Sequence, residues 1–283
     1  MEIVLQLQVI EGFWLSTEEA TWNMDEISEF FGLKDGVSGP HTSRTMMSDE
    51  LGMLLAHFNE PDSAHSLADY EHAIVDDNIL TKPTQATRKA SLRFLRELYS
   101  LDQSVPLFRA LRKLWKLDES SHPLIAMLSA YGRDPTLRAA APVILSTPVD
   151  SEVSRTQLTR AIKEFCDETM ADSTIDKIVR NAGSSFTQSG HLDGRVRKVR
   201  LLVKPTPTAI AFALLLAYAA GTRGKRLLSS EFVRLIDADE DTARARAIEA
   251  RKLGLIELRE NSNAFDIGFA PLIGERDWRR LNE

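Results

Sequence analysis

The residues best suited to chemistry lie between Ser173 and Lys204, where small polar and basic side chains are concentrated. This segment contains seven lysines and arginines against two aspartates, a net charge of +5, whereas the whole chain has 35 basic and 41 acidic residues and a net charge of −6. A local surplus of cations in an acidic chain suits phosphate neutralisation, because phosphate contacts depend on where the charge lies. The segment therefore predicts a nucleic-acid interface.

Candidate contacts with nucleic acid lie on a polar helix, on the basic strand that follows it and in a later loop. Small polar and basic side chains on the helix can reach phosphates or base edges, and cations on the strand can act as a wing that clamps the backbone. The alternative interpretation is a helix whose polar face only meets solvent. The candidate nucleic-acid-binding residues are Lys177, Arg180, Asn181, Ser184, Ser185, Thr187, Gln188, His191, Arg195, Arg197, Lys198, Arg200, Arg223, Lys225 and Arg226.

The elements that must position these side chains are predicted from capping residues and from apolar spacing. Asp172 or Ser173 can cap the polar helix, and the alternating apolar residues from 196 to 203 predict a strand after it. Thr206 can cap the next helix, with Pro207 at its first position. The candidate site therefore requires a helix and a strand joined by a glycine-containing turn.

The order of helices followed by strands occurs twice in the C-terminal half. After the helix that Thr206 caps, further helices are predicted at 230–236 and 239–253, and strands at 255–258 and 264–269. We interpret the pattern as two tandem winged-helix-like units, at about 154–204 and 207–270.

The two units predict different contacts. The corresponding helix of the second unit begins with Asp239, Glu240 and Asp241. These carboxylates stabilise a helix start through its dipole, but they would repel a phosphate brought to the same place. The first unit is therefore the DNA-facing candidate, and the second suits a structural or protein-binding role.

The complete pattern predicts a mainly α protein made of helical bundle domains, with the two winged-helix-like units at its C-terminal end. The expected divisions are an acidic N-terminal helical region at 1–77, a helical middle block at 78–150, the first unit at 151–206, and the second unit with a tail at 207–283. Residues 1–80 contain two basic and sixteen acidic residues, a net charge of −14. This front is either a surface for a separate partner or a solvated acidic domain.

The helix predicted at 106–117 is the most regular amphipathic segment of the middle block. Leu107, Leu111, Leu114 and Trp115 form its apolar stripe. The opposite face carries Arg109, Arg112, Lys113 and Lys116. This basic face either lies along phosphates or meets solvent.

Composition restricts the compartment. The single cysteine, Cys166, excludes an intramolecular disulfide, and its helical context predicts a buried, reduced thiol in a cytoplasmic protein. The first residues lack the basic region and cleavage site of a signal peptide. The longest apolar run, at 209–220, has 12 residues, which predicts a buried helix rather than a membrane span.

No pattern in the chain predicts an enzyme, a metal site or a cofactor site. The six histidines are scattered, and the nearest group, His57, His65 and His72, lacks a cysteine or a carboxylate pair that would complete a ligand set. Residues 221–225 have neither the spacing nor the preceding strand of a phosphate-binding loop. We therefore expect a non-enzymatic protein without a cofactor.

Three stretches of the chain resemble the BrxA-type proteins of bacterial BREX phage-defence clusters. They are residues 78–99, with the sequence NILTKPT followed by Thr87-Arg88, residues 173–198, and residues 228–269. The resemblance implies a small, mainly helical, non-enzymatic protein with a DNA-binding role and a fold likened to that of the transcription antitermination factor NusB. The first 74 residues do not match, so no function is carried over to them.

Two functions of different classes follow from these observations. The first is a non-enzymatic DNA-binding accessory protein of a phage-defence system, with duplex DNA bound with weak sequence preference and other defence-system proteins as partners. The second is a scaffold of the defence complex that binds a partner protein through the acidic front and the second unit. Regulation of transcription of its own cluster is a further alternative.

Overall fold

The computed structural model describes residues 24–34, 44–59, 65–166, 170–260 and 265–282. Ser16 and Glu19 predict a capping box ahead of a helix at 20–31, and this capping box and the beginning of that helix lie outside the described residues. Glycine, serine and proline predict a loop at 34–43, of which all but Lys34 lies outside them as well.

The described chain is mainly helical, which confirms the predicted class. A π-helical turn at His72–Asp76 and 3-10 turns at Glu119–Ser121 and Gly224–Ser229 supplement the α-helices. The α-helices are α1 (Met24–Phe31), α2 (Ser48–His57), α3 (Leu67–Glu71), α4 (Gln85–Tyr99), α5 (Pro106–Leu117), α6 (His122–Tyr131), α7 (Pro135–Ser146), α8 (Arg155–Phe165), α9 (Asp172–Gln188), α10 (Pro207–Ala219), α11 (Glu231–Leu235), α12 (Glu240–Lys252), α13 (Ala270–Ile273) and α14 (Glu275–Arg280).

Strands are few and short. The antiparallel pairs are β1 (Leu192–Asp193) with β2 (Val199–Arg200), and β3 (Glu257–Glu260) with β4 (Phe265–Gly268). Residues 150–153 add a third, irregular segment beside β2, in which the Val153 amide donates to the Lys198 carbonyl at 2.8 Å. The strand expected at 196–203 is therefore reduced to its middle, because the Val203 amide donates to the Asp237 carboxylate instead of to a strand.

Helix caps were predicted correctly in part. Thr206 caps α10 as predicted and accepts a hydrogen bond from the Ala209 amide at 3.1 Å ahead of Pro207. Thr84, for which no cap was predicted, forms a reciprocal capping box with Thr87 at the start of α4. The cap expected from Asp172 or Ser173 is wrong, since Ala171 occupies the N-cap position of α9 without a side-chain hydrogen bond. Asp172 lies in the first turn and forms an ion pair with Lys163 of α8 at 2.6 Å.

The core is built around α10, whose residues from Thr208 to Ala219 are all buried. This helix packs against α5, α6, α11 and α12, so it needs no polar face. The buried helix predicted for the longest apolar run is thus confirmed. Among the described residues, no helix has the length and apolar character needed to cross a bilayer.

The basic face of α5 is largely occupied by the C-terminal helices. Arg109 forms an ion pair with Asp277 of α14, and the Lys113 amino group donates to the Pro271 carbonyl at 2.6 Å. Arg112 donates to the carbonyl of Phe58 at 3.1 Å. These contacts, rather than phosphates or solvent alone, account for most of the basic face.

A buried ion pair joins the β1–β2 sheet to the segment between α11 and α12. The Arg200 guanidinium, 2% exposed, donates to the Asp237 carboxylate, which also accepts the Val203 amide at 2.9 Å. Asp237 has a φ of 54°, a left-handed conformation that is uncommon outside glycine but tolerated by aspartate. The pair therefore fixes both the sheet and the turn that precedes α12.

We expect Asp237→Ala to lower the free energy of unfolding by about 3–5 kcal/mol, because it leaves the Arg200 charge buried without its partner. Adding Arg200→Met to Asp237→Ala removes that charge, so the double variant should regain part of the loss. The control Asp241→Ala, at an exposed position in the first turn of α12, should change stability by no more than about 1 kcal/mol. Urea unfolding followed by circular dichroism measures the stability of all three variants. A double variant less stable than Asp237→Ala alone would contradict the prediction.

Candidate nucleic-acid interface

The polar helix of the candidate site, α9, is placed by its apolar face. Ile175, Ile178, Ala182 and Phe186 are buried, and the helix packs against α7 and α8. Because these residues recur at spacings of three and four, they share one face of the helix and leave the opposite face to solvent. Lys177 and Arg180 are exposed in this way.

A pocket of about 490 Å³ lies between α9 and the turn that joins β1 to β2. It brings five of the predicted contact residues to one place, together with Gly194 and one carboxylate. Its lining residues are Ser184, Thr187, Gln188, Asp193, Gly194, Arg195 and Lys198. Hydroxyl, amide, guanidinium and ammonium groups in one concavity are the donors that a phosphate backbone requires.

The turn beside this pocket has a defined conformation. Gly194 has a φ of +93°, and a Cβ atom there would overlap the carbonyl oxygen of Arg197. The Lys198 ammonium group donates to the Thr187 hydroxyl at 2.8 Å and to the Gly194 carbonyl at 2.9 Å. Lys198 thus ties the turn to α9, and its partial burial lowers the pKa of its amino group.

The cations that remain available come from both elements. Lys177, Arg180 and Arg195 are exposed and form no ion pair within the described chain. Arg180 donates to the Asp176 carbonyl at 3.3 Å and keeps its charge unneutralised. Arg197 is paired with Glu152 at 2.6 Å, although 77% of its side chain stays exposed.

Three of the predicted contact residues are buried, so the structure removes them from the interface. Arg200 is occupied by Asp237, as described above. Ser185, 2% exposed, donates to the Asn181 carbonyl at 2.9 Å and accepts the Met46 amide at 2.8 Å. These side chains hold the protein together and do not face a ligand.

His191 is the third buried residue. Its Nε2 donates to the Leu235 carbonyl at 2.6 Å, so its Nδ1 accepts from the Ser189 hydroxyl at 2.7 Å in the neutral ring. Desolvation lowers the pKa of His191 to about 4, and the nearby Arg200 charge adds to this effect. The imidazole is therefore a neutral bridge between the β1–β2 sheet and α11.

The remaining polar residues of α9 are partly buried. The Gln188 amide donates to the Thr45 hydroxyl at 3.2 Å, and Asn181 and Ser184 are also partly covered. Contacts from 45–46 to α9 had no signal in the sequence, because they depend on a chain segment about 140 residues away. Of these side chains, Gln188 and Ser184 line the pocket.

The loop at 223–226 adds few available cations to the candidate site. Arg223 lies over the ring of Tyr218, 3.6 Å from its centroid, and Lys225 forms an ion pair with Glu240 at 3.0 Å. Arg226 is exposed and has no ion pair among the described residues. None of the three lines the pocket beside α9.

The exposed basic residues of α8 were not among the predicted contacts, and each is already paired. Arg155 lies 3.2 Å from Asp176, Arg160 lies 2.8 Å from Glu164, and Lys163 binds Asp172. Ion pairs of this kind leave less positive charge available to a ligand. Of the described cations on α8, α9 and the β1–β2 turn, the exposed ones without an ion pair are therefore Lys177, Arg180 and Arg195.

Comparisons of the sequence with protein families and curated proteins identify no relative of this chain. No protein-family model matches the chain, and no curated protein matches its sequence. In the part of the chain that the structure describes, no group of three or more histidine, cysteine, aspartate or glutamate residues could hold a metal ion. A functional proposal must therefore start from the pocket and its charges.

The buried His191 predicts a loss of stability in acid. Its pKa in the folded chain is about 4, below the ordinary value of about 6.5, so the unfolded chain binds more protons between these values. The free energy of unfolding that neutral His191 contributes is complete above about pH 6.5. It is lost as the pH falls toward 4, by about 1.4 kcal/mol per pH unit at most. Urea unfolding from pH 7.5 to pH 4.5 should show this slope.

His191→Gln should be less stable at pH 7.5 but should lose less stability in acid than the unaltered protein. The matched control is His72→Gln, since the exposed His72 has a pKa raised by its hydrogen bond to Asp76. A raised pKa favours the folded state in acid, so this control should not reduce the acid loss. Equal pH slopes for His191→Gln and the unaltered protein would contradict the assignment.

Proposed function

We propose that this chain is a non-enzymatic protein that binds duplex DNA through the pocket between α9 and the β1–β2 turn. The observation that carries the proposal is the arrangement of that pocket. Arg195 from the turn and Ser184 from the helix line the same concavity, and Lys177 and Arg180 continue the exposed face of α9 without a carboxylate partner in the described part of the chain. Cations without internal partners can exchange bound counterions for phosphates at little cost.

The order of elements supports a winged-helix interpretation of this region. Helix α7 is followed by the segment at 150–153 that pairs with β2, then by α8, α9 and the β1–β2 sheet. In a helix-turn-helix protein the second helix of the motif enters the major groove while its neighbours hold the backbone. Helix α9 has that place in our proposal, and the β1–β2 turn is the wing.

Contacts can be assigned by position. Lys177 and Arg180 would bind phosphates along α9, and Arg195 would bind a phosphate on the far side of the pocket. Thr187 and Lys198 already bind each other, so their part is to hold the wing against the helix. Ser184, whose hydroxyl lines the pocket, is the side chain nearest to a base edge in this arrangement. Most of the contacts would thus go to the backbone, which favours weak sequence preference.

The resemblance to BrxA-type proteins extends the proposal to a cellular role. We propose an accessory function in a cytoplasmic phage-defence system, in which other proteins of the system are further partners. We infer that protein partners would bind through α12 and the acidic front.

We expect the triple variant Lys177→Glu, Arg180→Glu and Arg195→Glu to weaken binding to a duplex of random sequence by at least a hundredfold, since three phosphate contacts become repulsive. A gel-shift titration at 50 mM salt measures the effect. The matched control is Lys89→Glu, Lys116→Glu and Arg276→Glu, which makes the same charge change at exposed positions on α4, α5 and α14. Equal weakening by both triple variants would mean that net charge, rather than this pocket, governs binding.

Salt dependence provides an independent measure. The three assigned phosphate contacts predict a slope near −2.7 for the logarithm of affinity against the logarithm of salt concentration, or about a fortyfold loss between 50 and 200 mM. The triple variant on α9 and the turn should have a much shallower slope. Affinity that does not change with salt would contradict a backbone-binding protein.

A further inference from the structure

A second cationic pocket lies on another part of the molecule, at the C-terminal end of α4. It has a volume of about 380 Å³, and we refer to it as the Arg133 pocket. Its lining residues are Lys34, Arg93, Arg96, Glu97, Ser100 and Arg133. Four cations and one carboxylate thus surround one concavity, with a local charge of +3.

Arg133 forms the inner wall and is 8% exposed. Its guanidinium donates to the Glu97 carbonyl at 2.8 Å and to the Gly32 carbonyl. These are the unpaired carbonyls at the ends of α4 and α1, which a cation stabilises. Among the described residues, Arg133 forms no ion pair with a carboxylate, and backbone carbonyls orient its guanidinium.

The other cations of the pocket add to this excess. Burial lowers the pKa of Lys34, and repulsion from Arg133 lowers it further, so the two groups act on each other. Desolvation lowers the pKa of Arg133 to about 10. Arg93 lies 3.8 Å from Glu97, whereas Arg96 is exposed and has no ion pair among the described residues. Among the described residues, Glu97 is the carboxylate that lines the pocket with these four cations, and Asp134 also attracts Lys34.

We propose that the Arg133 pocket binds a small phosphorylated molecule that carries at least two negative charges. Planar guanidinium groups match the oxygens of a phosphoryl group, and a lysine adds a point charge. Arg96 and Lys34 are exposed at the rim and Arg133 is buried at the back, so a phosphoryl group between them would offset the excess of the four lining cations over Glu97. The volume lies in the range of small-molecule sites.

The site differs from the proposed DNA-binding surface in shape and position. Its cations come from 34, 93, 96 and 133, and none of them lies on α9 or on the β1–β2 turn. Its deepest cation is almost fully buried, whereas a passing DNA backbone meets exposed side chains. A compact anion can reach Arg133 more easily than a duplex can.

Isothermal titration of the full chain with sodium pyrophosphate at constant ionic strength tests the proposal. The unaltered protein should bind pyrophosphate, and Lys34→Gln and Arg96→Gln should each weaken binding at least tenfold, because both residues are exposed and can be changed without disturbing the core. The matched control is Lys89→Gln, which removes one exposed cation from α4 outside the pocket and should bind like the unaltered protein. Sodium chloride added to the same ionic strength serves as the blank.

Two results would overturn the proposal. One is the absence of pyrophosphate binding by the unaltered protein, and the other is an equal loss in Lys89→Gln and the two pocket variants. A gel shift separates this site from the DNA surface, since Lys34→Gln with Arg96→Gln should leave duplex binding within about twofold. A large loss of duplex binding in that double variant would mean that the phosphates belong to nucleic acid, and the small-molecule assignment would be wrong.

Discussion

The buried ion pair between Arg200 and Asp237 is the constraint on which the C-terminal half depends. Two opposite charges removed from water are stable only while they stay in contact, so β2 and the turn before α12 cannot separate without a large penalty. The bridge from His191 to the Leu235 carbonyl runs parallel to it and needs a neutral ring. Together they fix the β1–β2 sheet from behind, and this fixes the turn that faces α9.

The same constraint determines which charges can serve a ligand. Of seven basic residues in the richest segment of the sequence, Arg200 is used in the core, Arg197 is paired with Glu152, and Lys198 is bound to α9. A cation that already binds an acceptor within the protein binds a phosphate less strongly, because the internal contact must first be broken. The positive charge that the segment offers to a ligand is therefore smaller than its composition suggests. Beside α9, this charge is concentrated in Lys177, Arg180 and Arg195.

Local features of the fold were predictable because local physics governs them. Pro106–Leu117 was predicted at its observed bounds, since proline at the first position and a regular apolar stripe act within a few residues. Thr206 caps α10 as its position ahead of Pro207 indicates. The strand at 196–203 and the cap at 172–173 were mispredicted, because Asp237 and Lys163 compete for the same groups from other parts of the chain.

The sequence by itself determined the helical class, the buried character of α10 and the segment in which basic and polar side chains are concentrated, because these follow from composition and spacing. Only the tertiary structure decided that His191, Ser185 and Arg200 face inward while Arg195 reaches a pocket beside α9. It also assembled the Arg133 pocket from three separate stretches of the chain. The physical reason is that burial and ion pairing depend on neighbours far away in sequence, which no local pattern specifies.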